Sequence, residues 1–275
     1  MKNLGPMFDL YAFADYSGAA KESGQRKHIV LAVGDGRDVT LVHHTRESLF
    51  VALQDLLRDS AGQRILFGVD HSYSFPIGFY EAMTGKTQRS WEDLLEVLGT
   101  PTNPREWAAE ANRNIAARTG QPTGPFWGAH FKPQVKKPYF AHDEASLPER
   151  RLVETRNRRL KPIYQLGGNG AVGLQALYGI PYLAQLRAFC REQGIQLHAW
   201  PFDGWELPSD GHVLVEVYPT LYNTEQRTDE NDAKACVTTL TDLDQKGNLL
   251  ACFHPTLTDE ERNRAHLEGW VLGID

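Results

Sequence analysis

The chain has 275 residues, of which 41% are hydrophobic and 23% charged, and its formal net charge at pH 7 is -6. This composition is that of an ordinary globular protein, and the length allows one large α/β domain or two small ones. A negative net charge gives no general attraction for nucleic acid, so such binding would need a local basic patch or a metal ion. The composition therefore argues against a dedicated DNA-binding module.

The cysteines and the apolar runs indicate a cytoplasmic protein that does not enter a membrane. Cys190, Cys236 and Cys252 lie far apart and form no Cys-x-x-Cys pair, which argues against a disulfide framework and a zinc ribbon. The first 20 residues contain Asp9 and Asp15 and lack the design of a secretory signal. No apolar run approaches the roughly 18 residues of a membrane span.

The first strand predicted along the chain ends on a carboxylate. Residues 10–14 carry no charge, which is typical of a strand buried on both faces, and the segment from Asp15 to Gly18 follows them. In sheets flanked by helices, ligands bind at the carboxyl ends of the strands. Asp15 is therefore a candidate site residue, with an ordinary Asp and Ser-Gly turn as the alternative.

The next segments predict the opening of a ribonuclease-H-like fold. Residues 27–34 and 39–43 are β-branched runs separated by a Gly-Asp-Gly turn, which indicates a hairpin. Residues 46–58 have leucines at helical spacing, with Thr45 as N-cap, and residues 64–70 form an apolar run that ends on Asp70. This order places the Asp70 strand beside the first strand and parallel to it.

The segment from about 77 to 150 predicts a lid-like insertion within a single domain of residues 1–275. Loops rich in proline and glycine alternate there with two helices, Trp91–Leu98 and residues 104–118. Single-stranded nucleic acid sites combine aromatic with basic side chains, and a loop anchored by its own aromatic residues is the alternative. The side chains of this kind are Arg105, Trp107, Arg113, Arg118, Phe126, Trp127, Phe131, Lys132, Lys136, Lys137, Tyr139 and Phe140.

After the insertion, residues 148–159 predict a highly charged helix. Its simplest role is a solvated face, and its arginines could otherwise face an anion. The loop at 168–173 has the glycine spacing of a dinucleotide-binding fingerprint. However, Gly179 and Pro181 are expected to cut short the helix that such a motif needs, which favours a backbone turn or an anion-cradling loop.

The last elements predicted are a helix at 182–193, strands at 196–203 and 213–218, and a long helix at 228–245. Glu216 lies near the end of the last strand, and Asp232 lies in the first turn of the last helix, where acids also simply complement the helix dipole.

Carboxylates near three strand ends, Asp15, Asp70 and Glu216, predict one acidic pocket, because charged residues are rarely buried without a partner or a metal. Asp232, on a helix that would face the strand ends, completes the four-carboxylate set of a two-metal nuclease.

Short motifs in a shared order carry a resemblance to a known family. They are Asp15 with Ser17-Gly18, residues 68–76, Arg151-x-x-Glu154, the 168–173 loop with residues 179–181, Glu216 to Pro219, Asp232-Ala-Lys234-Ala, and residues 268–273. This order resembles the DUF429 family, predicted nucleases of the ribonuclease-H-like fold. Two departures are His71-Ser72, where the family frequently has an apolar-Pro pair, and the long insertion.

The resemblance and the acids together favour metal-dependent hydrolysis of phosphodiesters in nucleic acid or a nucleotide. Two Mg²⁺ or Mn²⁺ ions about 3.5–4 Å apart would stabilise the attacking and leaving oxygens. Carboxylates suit these ions, with Asp15 bridging both and Asp70, Glu216 and Asp232 completing the shells. A hydroxyl or a glycine loop would hold the phosphate, and a cation would offset the negative charge of the transition state. His71 would carry a proton, bind the metal ion or have a structural role. The candidates for substrate or phosphate binding are Ser17, His71, Arg151, Gly168, Gly170 and Lys234.

Two other functions fit the same segments. The residues from Asp15 to Gly18 could be the phosphate turn of an actin-like or sugar-kinase phosphotransferase, although such proteins close two similar domains around the nucleotide. A non-catalytic ligand-binding or scaffold protein of the same fold is the third hypothesis. If all four acids lie together in one pocket, the nuclease hypothesis is favoured over the phosphotransferase and the scaffold.

Overall fold

The computed structural model describes residues 5–60, 62–99, 103–128, 147–168 and 170–275. The chain divides into two compact units. Unit 1 contains Met1–His71, Tyr182–Thr256 and Trp270–Asp275, and unit 2 contains Ser72–Pro181 and Leu257–Gly269. The insertion expected at about 77–150 falls inside unit 2.

A mixed sheet lies in unit 1. Its strands are β1 (Leu10–Asp15), β2 (Val30–Gly34), β3 (Val39–His43), β4 (Ile65–Val69), β5 (Leu197–Ala199) and β6 (His212–Glu216). They are ordered β3-β2-β1-β4-β6-β5. The first three are antiparallel to their neighbours, whereas β4 is parallel to β1, and β6 is parallel to β4 and to β5. The α/β, ribonuclease-H-like mixed sheet predicted from the sequence is therefore confirmed.

Helices flank the sheet and make up much of unit 2. They are α1 (Glu22–His28), α2 (Arg46–Asp59), α3 (Phe79–Thr84), α4 (Trp91–Leu98), α5 (Pro104–Thr119), α6 (Leu152–Arg156), α7 (Gly173–Gln193), α8 (Asp229–Gln245) and α9 (Asp259–Glu268). Thr45 caps α2, and Thr228 caps α8 by accepting a hydrogen bond from the N–H of Asn231. The predicted bounds of α4 are confirmed, and those of α2, α5 and α8 agree within one residue.

The position of α8 over the sheet is fixed by a buried aspartate. Asp244, near the end of α8, accepts hydrogen bonds from the N–H groups of Met7 and Phe8 at 2.9 and 3.0 Å. It also accepts one from the hydroxyl of Tyr11 on β1 at 2.5 Å. Side chains alternate along a strand, so Tyr11 and Asp15 share a face of the sheet. The helix therefore packs on the face to which Asp15 belongs.

Two local predictions are wrong. Helix α7 runs from Gly173 to Gln193 with Pro181 inside it, so neither Gly179 nor Pro181 ends the helix. Leu177 and Ile180 are fully buried, and this packing offsets the hydrogen bond that proline cannot make. The charged segment 148–159 is helical only over α6, and its residues Arg151 to Glu154 are buried, so they do not form a solvated face.

The core of unit 2 is rich in aromatic side chains. The rings of Phe75 and Phe79 stack with centroids 4.2 Å apart, and Phe126 meets Tyr164 edge-on at 5.3 Å. Phe126 is fully buried, so it anchors its own segment and is not available to stack on a base. Lys132, Lys136 and Lys137, with Phe131, Tyr139 and Phe140, lie outside the described residues.

Candidate functional site

Asp15 and Asp70 lie side by side where β1 and β4 end. The parallel register pairs Ala14 with Val69, which makes Asp15 and Asp70 the next pair and places both side chains on one face of the sheet. The N–H of Asp70 donates to the carbonyl of Ala14 at 3.2 Å, and the N–H of Tyr16 donates to Oδ1 of Asp70 at 2.7 Å. The local backbone therefore holds the two acids together, as the sequence predicts.

Helix α8 adds two acids from its first turn. Asp229 and Asp232 are three residues apart, a spacing that places both on one side of a helix. Burial, together with the charges of Asp70, Asp229 and Asp232, raises the pKa of Asp15 to about 10, while Arg227 acts in the opposite direction. Electrostatically, the four aspartates form one cluster, which we call the aspartate cluster.

The pKa of Asp70 is raised by burial and by two of the same neighbours, Asp229 and Asp232. Burial is the main reason that its pKa is raised to about 7, and the charges of Asp232 and Asp229 add to this. The hydrogen bond from the N–H of Tyr16 acts in the opposite direction by stabilising the carboxylate.

Neighbouring side chains form hydrogen bonds with the carboxylates of Asp229 and Asp232. Asp232 accepts hydrogen bonds from the side-chain amide of Asn223 and from Nε of Arg227, the latter at 3.1 Å. Asp229 lies 2.8 Å from Nδ1 of His28, the last residue of α1. The side chain of Arg227 is 54% exposed, so it can also contact a negatively charged ligand. Neither Arg227 nor His28 was predicted from the sequence as a site residue.

Glu216 faces the other side of the sheet. The register pairs it with Val69, and because side chains alternate, it shares a face with Val69 and Ala14 rather than with Asp70. The side chain is buried, and the backbone carbonyl accepts a hydrogen bond from the N–H of Leu272 at 2.9 Å. The fourth acid near Asp15 is therefore Asp229, and its helical spacing from Asp232 is the sequence signal that could have identified it.

Three of the predicted phosphate-binding residues lie in unit 1, and they differ in position and exposure: Ser17, His71 and Lys234. Ser17 follows β1, and its hydroxyl accepts a hydrogen bond from the N–H of Ala19 at 3.1 Å. His71 is only 2% exposed, and its ring meets that of Tyr16 edge-on with centroids 4.9 Å apart. This packing favours the structural role for His71. Lys234 is exposed and lies about 200° around the helix from buried Asp232, so it projects away from the aspartate cluster.

The remaining phosphate-binding candidates belong to unit 2. Arg151 is 1% exposed, and its Nε donates to Glu154 at 2.9 Å. Its Nη1 donates to the carbonyl of Glu268, and its Nη2 to the hydroxyl of Ser72, both at 3.1 Å. A buried guanidinium engaged in this way does not favour the predicted phosphate contact.

Gly168 and Gly170 both have positive φ angles, +101° and +71°, which fits the backbone turn expected there. No strand precedes them in the described part of residues 161–168, where Gln165 forms only an isolated bridge. The dinucleotide-binding fingerprint is therefore not supported.

The donor set of the aspartate cluster suits a hard cation such as Mg²⁺ or Mn²⁺. Burial and the charges of neighbouring aspartates raise the pKa values of Asp15 and Asp70. Within the described ranges, however, no group of three or more His, Cys, Asp or Glu side chains is placed to hold a metal ion. Asp70, Asp229 and Asp232 each have a carboxylate oxygen at hydrogen-bond distance from a protein nitrogen. Coordination would require these side chains to exchange such donors for the ion.

Comparison of the chain with models of protein families, with curated proteins and with solved structures gives no match in any of the three. The resemblance to the DUF429 family therefore stays a prediction from sequence motifs. In the part of the chain that the structure describes, no helix combines the length and apolar character needed to cross a membrane.

Proposed function

We propose that the protein is a metal-dependent phosphodiesterase that hydrolyses nucleic acid, using the carboxylates of Asp15, Asp70 and Asp232. The observation that carries the proposal is the placement of Asp15 and Asp70 side by side at the ends of two adjacent parallel strands, with α8, which carries Asp232, packed on the same face of the sheet. The raised pKa of Asp15, about 10, supports this arrangement. Asp229 takes the place of Glu216 as the fourth acid, because Glu216 belongs to the opposite face of the sheet.

Bound Mg²⁺ or Mn²⁺ would supply the positive charge that stabilises the attacking and leaving oxygens of the phosphodiester. The chain would supply oxygen donors from the aspartate cluster. Asp70 is held in place by the N–H of Tyr16, and Asp229 by His28. Arg227 is the half-exposed cation beside Asp232, and it would contact a phosphate oxygen of the substrate.

The cluster supports hydrolysis better than the two other hypotheses. A kinase-type phosphate turn needs no acids from the last long helix, yet Asp229 and Asp232 of α8 both act on Asp15. A scaffold gains nothing from burying like charges, which costs stability. We also retain the cytoplasm as the proposed location, because Cys190, Cys236 and Cys252 are free thiols.

The test is a screen of single-stranded, double-stranded and branched DNA and RNA in Mn²⁺. We expect the wild-type protein to cleave at least one substrate, and Asp15→Asn to reduce the rate by about 100-fold or more. Asp232→Asn should also slow turnover, with a smaller effect on binding. The matched control is Asp242→Asn, an exposed aspartate of the same helix that pairs with Lys246 at 2.7 Å.

Cleavage that both cluster variants retain would assign the activity to a contaminant or to another site. A wild-type protein that cleaves none of these substrates but binds ATP would favour the phosphotransferase instead.

A further inference from the structure

Both carboxylate oxygens of Asp232 face side-chain donors from the segment that precedes α8. Oδ1 accepts a hydrogen bond from the side-chain amide of Asn223. Oδ2 accepts one from Nε of Arg227 at 3.1 Å and lies 3.0 Å from Nη2 of the same guanidinium. The side chain of Asp232 is only 10% exposed. A cation that bound this carboxylate would therefore compete with these two donors.

The chain holds the two donors with different firmness. Oδ1 of Asn223 accepts a hydrogen bond from the N–H of Glu225 at 2.7 Å, so both ends of this side-chain amide are engaged. Arg227 lies in the exposed run 224–227, and its side chain is 54% exposed. Rotation of an exposed side chain leaves the backbone and the core in place. Asn223 is thus fixed against Asp232, whereas Arg227 can change partners.

The geometry of the Arg227 contact leaves the guanidinium poorly matched. Nε and Nη2 both approach one oxygen, Oδ2, because the other oxygen of Asp232 accepts from Asn223. A guanidinium pairs best when two parallel N–H groups meet two different oxygens. A phosphodiester offers two such oxygens, so it is a better partner for Arg227 than the carboxylate that it contacts here.

The charge of Arg227 also reaches the centre of the aspartate cluster. Burial and the other three aspartates raise the pKa of Asp15, whereas the charge of Arg227 lowers it. A divalent cation among these acids would act in the same direction as the guanidinium, because both favour ionised carboxylates. Two cations beside one carboxylate would also repel each other. The arginine and a metal ion are therefore alternatives at Asp232.

We propose that Arg227 occupies the cation position at Asp232 in the metal-free protein and is released to a substrate phosphate when a divalent cation binds. This inference deepens the proposed function and rests on it, since the ion and the phosphate are those of the hydrolysis. An ion at Asp232 frees the guanidinium, and a phosphate that takes the guanidinium opens Asp232 to the ion. By linkage, each ligand then tightens the binding of the other by the same factor.

The first measurement is the affinity of the full chain for Mn²⁺ alone, from the EPR signal of the free ion at low salt. Arg227→Gln removes the competing charge, so the Kd for Mn²⁺ should fall roughly 3- to 10-fold. Arg227→Lys keeps the charge, so its Kd should stay within about 2-fold of the wild-type value. The matched control is Arg58→Gln, which removes the same charge from a pair with Asp55 in which the arginine is 48% exposed, and which should leave Kd unchanged.

The second measurement repeats the Mn²⁺ titrations in the presence of dimethyl phosphate, a small phosphodiester. This ligand should lower the Kd for Mn²⁺ in the wild type and in Arg58→Gln by a similar factor. The shift should be much smaller in Arg227→Gln, where only direct coordination of the ion by the diester remains. Arg227→Lys should give an intermediate shift, because an ammonium group lacks the planar fork. A purely structural arginine would not combine tighter metal binding with weaker phosphate coupling.

Three results would each overturn the proposal. They are an Arg227→Gln variant that binds Mn²⁺ no more tightly than the wild type, an equal gain in Arg58→Gln, and an unchanged effect of dimethyl phosphate in Arg227→Gln. Circular dichroism in EDTA checks that each variant is folded before the titration.

Cleavage of nucleic acid separates this inference from the proposed hydrolysis. A wild-type protein that binds Mn²⁺ and cleaves a substrate, with unchanged Mn²⁺ affinity in Arg227→Gln, overturns the exchange and leaves the proposed function standing. Proteins that show the expected affinities but cleave no substrate support the exchange and refute hydrolysis. Absence of Mn²⁺ binding in both the wild type and Arg227→Gln overturns both.

Discussion

The backbone N–H of Tyr16 donates a 2.7 Å hydrogen bond to the carboxylate of Asp70, which ties the residue after Asp15 to the end of the neighbouring strand. This bond fixes the orientation of Asp70 and keeps it beside Asp15 at one edge of the sheet. Because Asp15 is buried and the neighbouring Asp70 half-buried, their carboxyls repel each other when ionised, and their protonation is coupled to the stability of the protein.

Replacing Asp15 by Asn is expected to stabilise the protein at neutral and alkaline pH. The folded-state pKa of about 10 lies above the ordinary aspartate pKa of 3.8, so between these two pH values the folded state binds more protons than the unfolded state. Wild-type stability therefore falls as pH rises through this window, whereas asparagine does not ionise. We expect a gain of about 1–3 kcal/mol at pH 8, and a smaller one at pH 5, from urea unfolding. A variant less stable than the wild type at pH 8 would contradict this account.

Divalent cations should stabilise the wild-type protein more than Asp15→Asn. An ion that binds only the folded state at ten times its Kd adds about 1.4 kcal/mol, which raises Tm by a few degrees. Thermal unfolding in Mn²⁺, Mg²⁺ and EDTA measures this. A Tm that does not respond to either ion, or that responds equally in the variant, would count against binding at the aspartate cluster.

Asp244→Ala should destabilise the protein strongly. The carboxylate is buried and accepts hydrogen bonds from Met7, Phe8 and Tyr11, so its removal leaves buried donors without an acceptor. We expect a loss of about 2–4 kcal/mol in chemical unfolding. Asp242→Ala, two residues away on the same helix and exposed, should change stability by less than about 1 kcal/mol. Similar losses in the two variants would show that Asp244 does not hold α8 to the sheet.

Arg151→Lys tests whether this arginine is structural. A lysine cannot reproduce the separate hydrogen bonds to Glu154, Glu268 and Ser72, so buried acceptors would lose their donors. We expect a loss of about 1–3 kcal/mol, because lysine keeps the positive charge but leaves buried acceptors without their hydrogen bonds. Arg156→Lys, in the more exposed pair with Glu261, should cost less than about 1 kcal/mol. A stable Arg151→Lys variant with weakened oligonucleotide binding would restore the phosphate-binding role predicted from the sequence.

The sequence was most informative where periodicity and capping agree. The apolar runs that end on Asp15 and Asp70 locate two adjacent parallel strands, and Thr45 and Thr228 mark the starts of α2 and α8. These signals are local, because the residues that form the buried strand or cap the helix are the same residues that carry the sequence pattern.

The sequence was less informative where tertiary packing determines the position of a side chain or the end of a helix. The side of the sheet that Glu216 faces depends on its register with β4, and one residue of shift reverses it. The burial of Arg151 depends on partners as distant in sequence as Glu268. Pro181 is accommodated within α7 among buried neighbours, which overrides its local preference to end a helix.

Metal binding at the aspartate cluster is tested most directly by an anomalous-scattering measurement on crystals soaked in Mn²⁺. We predict a peak within about 2–2.6 Å of carboxylate oxygens of Asp15 and Asp70, with the side chains of Asp229 or Asp232 turned towards it. The peak should be absent in Asp15→Asn crystals soaked in the same way. No peak at the aspartate cluster of the wild-type protein, or a peak only elsewhere, would contradict the account.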